Sequence, residues 1–264
     1  MSFKHQLRFV LPLLTSSLVV SISSEAAPQT VHVYVALCDN DNQGIVPVPA
    51  RLGNGTDPAH NLYWGAAFGV KTFFHRSSHW TLLKSISSPR DAILERIVLK
   101  HKTTETYLIA DAYRGNAIKQ AVLDFLSATA GRNPEVVSVE LGGSAVTIMA
   151  GGSSPLLVYV GHNGLMDFTL SNPPSPANDK VRQAVILACA SKPYFTDALR
   201  RTGASPLLWT TGLMAPEAYT LHSALEGWIA GETDLAVRKR AAEAYHQYQK
   251  CGINAAMRLF QTGW

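Results

Sequence analysis

Apolar residues along this chain fall into short unbroken runs, separated by polar loops and by stretches with helical spacing. The first run, residues 31–37 (VHVYVAL), is short and rich in β-branched residues, which predicts a buried strand. A long polar loop rich in Asp, Asn, Gly and Pro follows over residues 38–60. Leu62, Ala66, Phe68, Val70 and Phe73 are spaced for a helix over residues 61–75, and residues 80–86 read as a strand. Ser88-Pro89 looks like an N-cap with proline in the first turn, opening a helix whose face carries Ile93, Ile97 and Val98. Residues 107–110 predict another strand, ending at Asp111. Asn116 then caps a helix carrying Ile118, Val122, Phe125 and Leu126, stopped near Gly131. Gly142-Gly143 lies between residues 135–141 and 144–150 as a hairpin turn. Apolar runs recur at residues 156–160, 184–187 and 207–211, and two C-terminal helices are expected over residues 216–230 and 234–260, the second bent at Gly252.

Strands that are apolar throughout, alternating with helices, imply a mainly parallel sheet covered on both faces. No internal repeat or linker-like stretch interrupts residues 27–264, so one α/β domain is expected there. Ligands of such sheets sit beyond the carboxyl ends of the strands, which makes the residues after each run the place to look for chemistry.

Composition adjusts this picture at the N-terminus. Of the 264 residues 47% are hydrophobic and only 16% charged, against about 25% in an ordinary soluble domain. Part of the excess lies in residues 1–26. Lys4 and Arg8 precede an apolar run broken by Pro12, and small residues surround a cleavage point expected after Ala26. This is the layout of a secretory signal peptide, and the run is too short for a stable membrane span. The expectation is export to a periplasmic or extracellular space. Loss of Lys4, Arg8 and Glu25 takes the net charge from +4 to +3. That is too mild for nucleic acid, which calls for a clustered basic stripe; Arg238-Lys239-Arg240 reads as a solvated helix face.

Export gives the three cysteines meaning. Cys38, Cys189 and Cys251 form at most one disulfide and leave a thiol over. Cys38 with Cys251, two ordinary buried thiols, and a reversible, inactivating Cys38–Cys189 bond are all open readings. The strand ends nominate Cys189. The run ending at Val160 continues Gly161-His162-Asn163-Gly164, and the run ending at Leu187 continues Ala188-Cys189-Ala190-Ser191. In neighbouring parallel strands these motifs emerge at one rim, placing a thiol near an imidazole, the minimum for covalent catalysis.

Strand-His-Gly followed by strand-Ala-Cys, with Tyr194-Phe195 downstream, resembles the caspase–haemoglobinase fold of cysteine peptidases, the legumain, gingipain and clostripain types among them. The order of elements over residues 31–231 agrees: strand, helix, strand, helix, His strand, Cys strand, helix, strand. The resemblance implies a cysteine endopeptidase with Cys189 as nucleophile, His162 as acid–base, and Asn163 and Gly164 at the oxyanion hole, Asn163 standing where that family usually has the glycine. It also implies that the loop after the first strand shapes the pocket for the residue before the cut. Asp39, Asn40, Asp41 and Arg51 lie in that loop, with Thr210, Thr211 and Met214 on the opposite wall. Arg51 suits an acidic or amide side chain and the aspartates a basic one. A peptide or protein is the substrate expected. The rivals are a non-catalytic exported binding protein on the same sheet and a different thiol hydrolase or transferase.

Other chemistry is less well supported. Asp39-Asn40-Asp41-Asn42-Gln43-Gly44 opens like a calcium loop, but position twelve is Ala50 rather than Glu, so an Asx-rich turn is expected. His75 and His79 are four apart, yet a helix-to-strand break between them and the lack of a Glu after His75 argue against zinc. No Gly-x-Ser-x-Gly elbow and no phosphate-binding glycine loop is present, and no cofactor or metal is expected. Asn54-Gly55-Thr56 is a glycosylation sequon.

Overall fold

Ten strands and six helices follow one another in the computed structural model, which describes Met1 and residues 28–264. The expected signal peptide lies outside the described residues, save for Met1. Strand β1 (Gln29–Ala36) is followed by α1 (Val70–Arg76), the hairpin β2 (Trp80–Arg90) and β3 (Ile93–His101), β4 (Thr106–Tyr113) and α2 (Ile118–Thr129). A second hairpin, β5 (Pro134–Leu141) with β6 (Ser144–Gly151), precedes β7 (Leu156–Val160), β8 (Gln183–Leu187), α3 (Ser191–Thr202) and β9 (Ser205–Thr210). Helices α4 (Ala218–Ile229), α5 (Asp234–Gln249) and α6 (Ile253–Leu259) lead to β10 (Phe260–Gln261).

The protein is α/β. Its eight-stranded mixed sheet has the order β10-β9-β8-β7-β1-β4-β3-β2, and β4, β1, β7, β8 and β9 form a parallel centre. Counted in chain order those five strands lie 2-1-3-4-5 across the sheet. The order reverses between β1 and β7, a switch point that opens a crevice beyond the strand ends. Val31, Val33 and Val35 of β1 join a core with α1, α4, α5 and α6 on one face. Tyr34 and Ala36 join α2 and α3 on the other. The hairpin β5–β6 covers the rest of that second face, setting Val137, Val139, Ile148 and Ala150 on Val98, Tyr107 and Ile109. Its turn places Gly142 at φ 58° and Gly143 at φ 81°, a pair of left-handed positions that suits glycine. No helix among the described residues is long and apolar enough to cross a membrane.

Two expectations from periodicity are corrected. Residues 88–98 are not a helix: Ser88 and Pro89 end β2, and β3 follows. Glu95, Ile97 and Leu99 of β3 point to the α1 face, while Arg96 and Val98 point to the β5–β6 hairpin. Both sides of the strand are covered, so no polar stripe reveals its two-residue period. The helix expected over residues 61–75 is only its last part, α1. Residues 61–69 are turns built on the buried Asn61, whose side chain accepts from the N–H of Cys38 at 3.0 Å and donates to its carbonyl at 2.8 Å. At the C-terminus, left-handed Lys250 and Gly252 at φ 87° separate α5 from α6. Asn116 sits in a 3-10 turn and supplies no side-chain cap to α2.

A buried ionic network joins the second hairpin to the sheet. His32 and Asp111 are fully buried on β1 and β4, with His32 Nε2 3.1 Å from Asp111 Oδ2. Arg96 donates twice to Asp111, each bond 2.6 Å, and reaches Glu135 of β5 at 2.8 Å. Burial pushes the Asp111 carboxyl up, but its bonds to Arg96 and His32 outweigh this and bring it to about 2.

Candidate active site at the sheet rim

Val160 of β7 pairs with Leu187 of β8 in parallel register. His162 and Cys189 each lie two residues beyond that pair, so the sheet brings both to the same level of the rim. They line one cavity of about 300 Å³ with Gly44, Ile45, Val46, Tyr63, Met166, Leu213, Met214 and Pro216. The cavity draws on the loops after β1, β7, β8 and β9 and so lies at the switch point.

Each half of the pair is held by its own surroundings. His162 is almost wholly buried, and its Nε2 donates to Asp167 Oδ2 at 2.8 Å. Asp167 also accepts from the Gly44 N–H at 3.0 Å; a Cβ at Gly44 would run into that carboxylate. This leaves Nδ1 as the nitrogen of His162 available for proton transfer. Tyr159 fixes the backbone below by donating from its hydroxyl to the His162 carbonyl at 2.8 Å.

Cys189 is half-buried, and its thiol rests on Met214, with the Met214 N–H and carbonyl each 3.4 Å from Sγ. The hydrogen bonds of the thiol therefore run to Met214 and not to His162. Directly after the cysteine, Ala190 adopts φ 46° and ψ 40°, a left-handed conformation unusual for a residue with a side chain. This sharp turn leads from β8 straight into α3, as nucleophiles are presented on strand-turn-helix elbows. It is stabilised below by Thr210, whose hydroxyl donates to the Ala188 carbonyl and accepts from the Ser191 N–H at 3.1 Å.

The amides around the cysteine divide clearly. The Ala190 N–H is taken by the Gly212 carbonyl at 2.7 Å and the Gly161 N–H by Leu187 at 3.2 Å. The Cys189 N–H has no partner among the described residues. Asn163 is fully buried; its side chain donates to the Cys189 carbonyl at 2.7 Å and accepts from Leu165 at 3.1 Å. Any oxyanion contact from Asn163 must therefore come from its backbone. Gly164 opens the short 3-10 turn that carries Met166 and Asp167.

Of the residues expected to bind substrate, Met214 lines the cavity, while Asp39, Asn40, Arg51 and Thr211 do not. Asp39 is buried and accepts from the N–H groups of Asp41 and Asn42 at 3.0 and 3.2 Å, an Asx-type turn that shapes the loop. Asn40 clasps Val48, donating to its carbonyl at 2.8 Å and accepting from its N–H at 3.0 Å. Arg51 is exposed and does not line the cavity. Thr211 donates to the carbonyls of Arg258 and Leu259 on the α6 side.

Sequence reading missed Asp167, although its place five residues after a candidate histidine was visible. It also missed the apolar wall. Val46 is 88% exposed, Leu213 77% and Met166 42%, so large apolar side chains face solvent around the cavity mouth. Exposed apolar side chains grouped at one cavity mouth are a feature of interaction surfaces. All three cysteines are free thiols; Cys38 is buried and burial pushes it up to about 11, while Cys251 is exposed. No family model, curated protein or solved structure matches the chain.

Proposed function

We propose that this protein is an exported thiol-dependent hydrolase of caspase–haemoglobinase type, cleaving peptide bonds through Cys189 and His162. The observation that carries the proposal is the equivalent placement of the two residues beyond a paired position of adjacent parallel strands, opening into one apolar cavity. The element order supports the fold assignment: β1, α1, β4, α2, β7, β8, α3 and β9 follow the expected sequence, with hairpins β2–β3 and β5–β6 added.

In this reading the Cys189 thiolate attacks the scissile carbonyl, and the oxyanion takes the unpartnered Cys189 N–H together with a backbone N–H of the Asn163–Gly164 turn. The C–N bond breaks as protonated His162 gives its Nδ1 proton to the leaving amine, leaving an acyl thioester. Water, deprotonated by His162, then releases the carboxylic acid and the thiol. Asp167 holds the imidazole so that Nδ1 faces the work. The wall of Ile45, Val46, Met166, Leu213 and Pro216 favours an apolar side chain next to the cut, in place of the charged ones that Asp39 or Arg51 would select.

Iodoacetamide labelling of the folded, reduced protein in a Cys251→Ser background tests this directly. Cys189 reacts with a rate that follows a thiolate titration, and Cys189→Ala abolishes cleavage of peptides with an apolar residue before the cut. Peptide cleavage untouched by Cys189→Ala sinks the proposal. A second reading follows from the bonding of the thiol to Met214 rather than His162: a binding protein that holds an apolar segment in the same cavity. It predicts ligand-dependent thermal stabilisation without turnover, equally strong in Cys189→Ala.

A further inference from the structure

A second cluster of chemically active side chains lies away from the cysteine cavity, where the start of β2 meets α4. His222 and Glu226 are four apart on one face of α4, so both side chains point the same way. His79, just before β2, places Nδ1 2.6 Å from Glu226 Oε2. His222 Nε2 is 3.8 Å from Glu226 Oε1, and one ligand atom from each of the three residues lies within 4.8 Å of the others. His79 and His222 also line a cavity of about 360 Å³ with Phe68, Phe73, Arg76 and Ser77.

We propose that His79, His222 and Glu226 form a binding site for a divalent transition metal of the zinc class. Two imidazoles and one carboxylate are a zinc donor set, with bonds of about 2.0–2.2 Å, which sets tetrahedral ligand atoms roughly 3.4 Å apart. The 3.8 Å separation at Glu226 Oε1 and the 2.6 Å hydrogen bond at Oε2 lie on either side of that spacing, and the carboxylate turns to offer one oxygen when the metal replaces the shared proton. Ser77 Oγ, 2.8 Å from His222 Nε2, is the contact that the ion displaces. His101 is the positioning residue: its Nε2 lies 3.6 Å from Glu226 Oε2, and its Nδ1 is 2.9 Å from Thr104 Oγ1. Trp80 Nε1 donates to Glu226 Oε1 at 3.3 Å and fixes the carboxylate from the other side. Three protein ligands leave a fourth position for water or an anion, with the cavity and Arg76 beside it. The site ties the residues before β2 to α4, segments more than 140 positions apart in the chain.

Titration of chelator-treated, untagged protein with Zn²⁺ by calorimetry, and with Co²⁺ by visible absorption, tests the site. A Cys189→Ser, Cys251→Ser background removes capture by the accessible thiols. One equivalent of Zn²⁺ binds at micromolar concentration or tighter, Co²⁺ gives the intense absorption of a four-coordinate nitrogen–oxygen site, and saturation raises Tm. His79→Ala, at a half-exposed position that tolerates truncation, and His222→Ala each weaken Zn²⁺ binding by about 100-fold or more, on the scale of losing a ligand. His75→Ala, on α1 outside the cluster, leaves binding unchanged. The absence of stoichiometric binding, or equal binding by the His79→Ala and His222→Ala variants, overturns the proposal.

Discussion

Two of the molecule's histidine–aspartate pairs join the same atoms, Nε2 to Oδ2, in opposite settings. In the core, His32 donates from Nε2 to Asp111, and its Nδ1 accepts from the Gly151 N–H at 3.0 Å, so both ring nitrogens are committed. The pair is fully buried, and Arg96 completes it with two further bonds. At the rim, His162 donates from Nε2 to Asp167, and the other nitrogen is left to a cavity that also holds a thiol. A histidine–carboxylate contact is therefore no mark of an active site by itself. An uncommitted nitrogen, a neighbouring thiol and room for a ligand separate the pair proposed for catalysis from the one that ties strands together.

Opposite responses to substitution follow. Cys189→Ala has the largest expected effect, a loss of about 10³-fold or more in kcat/KM with Tm within a degree or two, measured on apolar peptide substrates. Asp111→Ala acts in the reverse sense. It leaves Arg96 and His32 without their buried partner and costs about 3–5 kcal/mol in urea unfolding. The same carboxyl controls the acid limb of stability. Its folded value of about 2 lies below the unfolded one of about 3.9, so its stabilisation is present above pH 4 and is lost as pH falls towards 2. Roughly 2 kcal/mol is at stake, and Asp111→Asn should flatten this limb of the pH–stability curve. The smallest effect is that of Asp167→Asn, a loss of about tenfold in kcat/KM from poorer imidazole orientation. Its stability cost stays under about 1 kcal/mol because Asp167 is about one-third exposed. Equal stability losses in Asp111→Ala and Asp167→Asn would erase the distinction between the pairs.

Much of this is legible in the sequence. The β-branched runs of β1, β7 and β8 announce strands because both faces of each are covered, and their last residues carry His162 and Cys189 to the rim. The same double burial hid β3, where Ile93 and Ile97 fit helical spacing as well as a strand. The walls of the cavity were hidden for another reason. Polar residues of the loop after β1 read as ligands, but Asp39 and Asn40 spend their polar atoms on the backbone of that loop. By doing so they set the apolar Ile45 and Val46 at the cavity. Which of a loop's residues shape it and which face a ligand is decided by closure of the loop, and spacing does not record that. His222 and Glu226 were likewise unremarkable until β2 brought His79 to them.

The order of the sheet has a consequence for the molecule at high concentration. An exposed strand edge invites pairing with another molecule. One edge of this sheet is β10, only two residues long, and the other is β2, with Lys84, Pro89 and two breaks in its register against β3. Neither offers the long, flat, unbroken ladder that a second chain needs to add a strand. The apolar parallel centre is thereby shielded from fibril-like growth, so molecules can crowd together without lengthening one another's sheets.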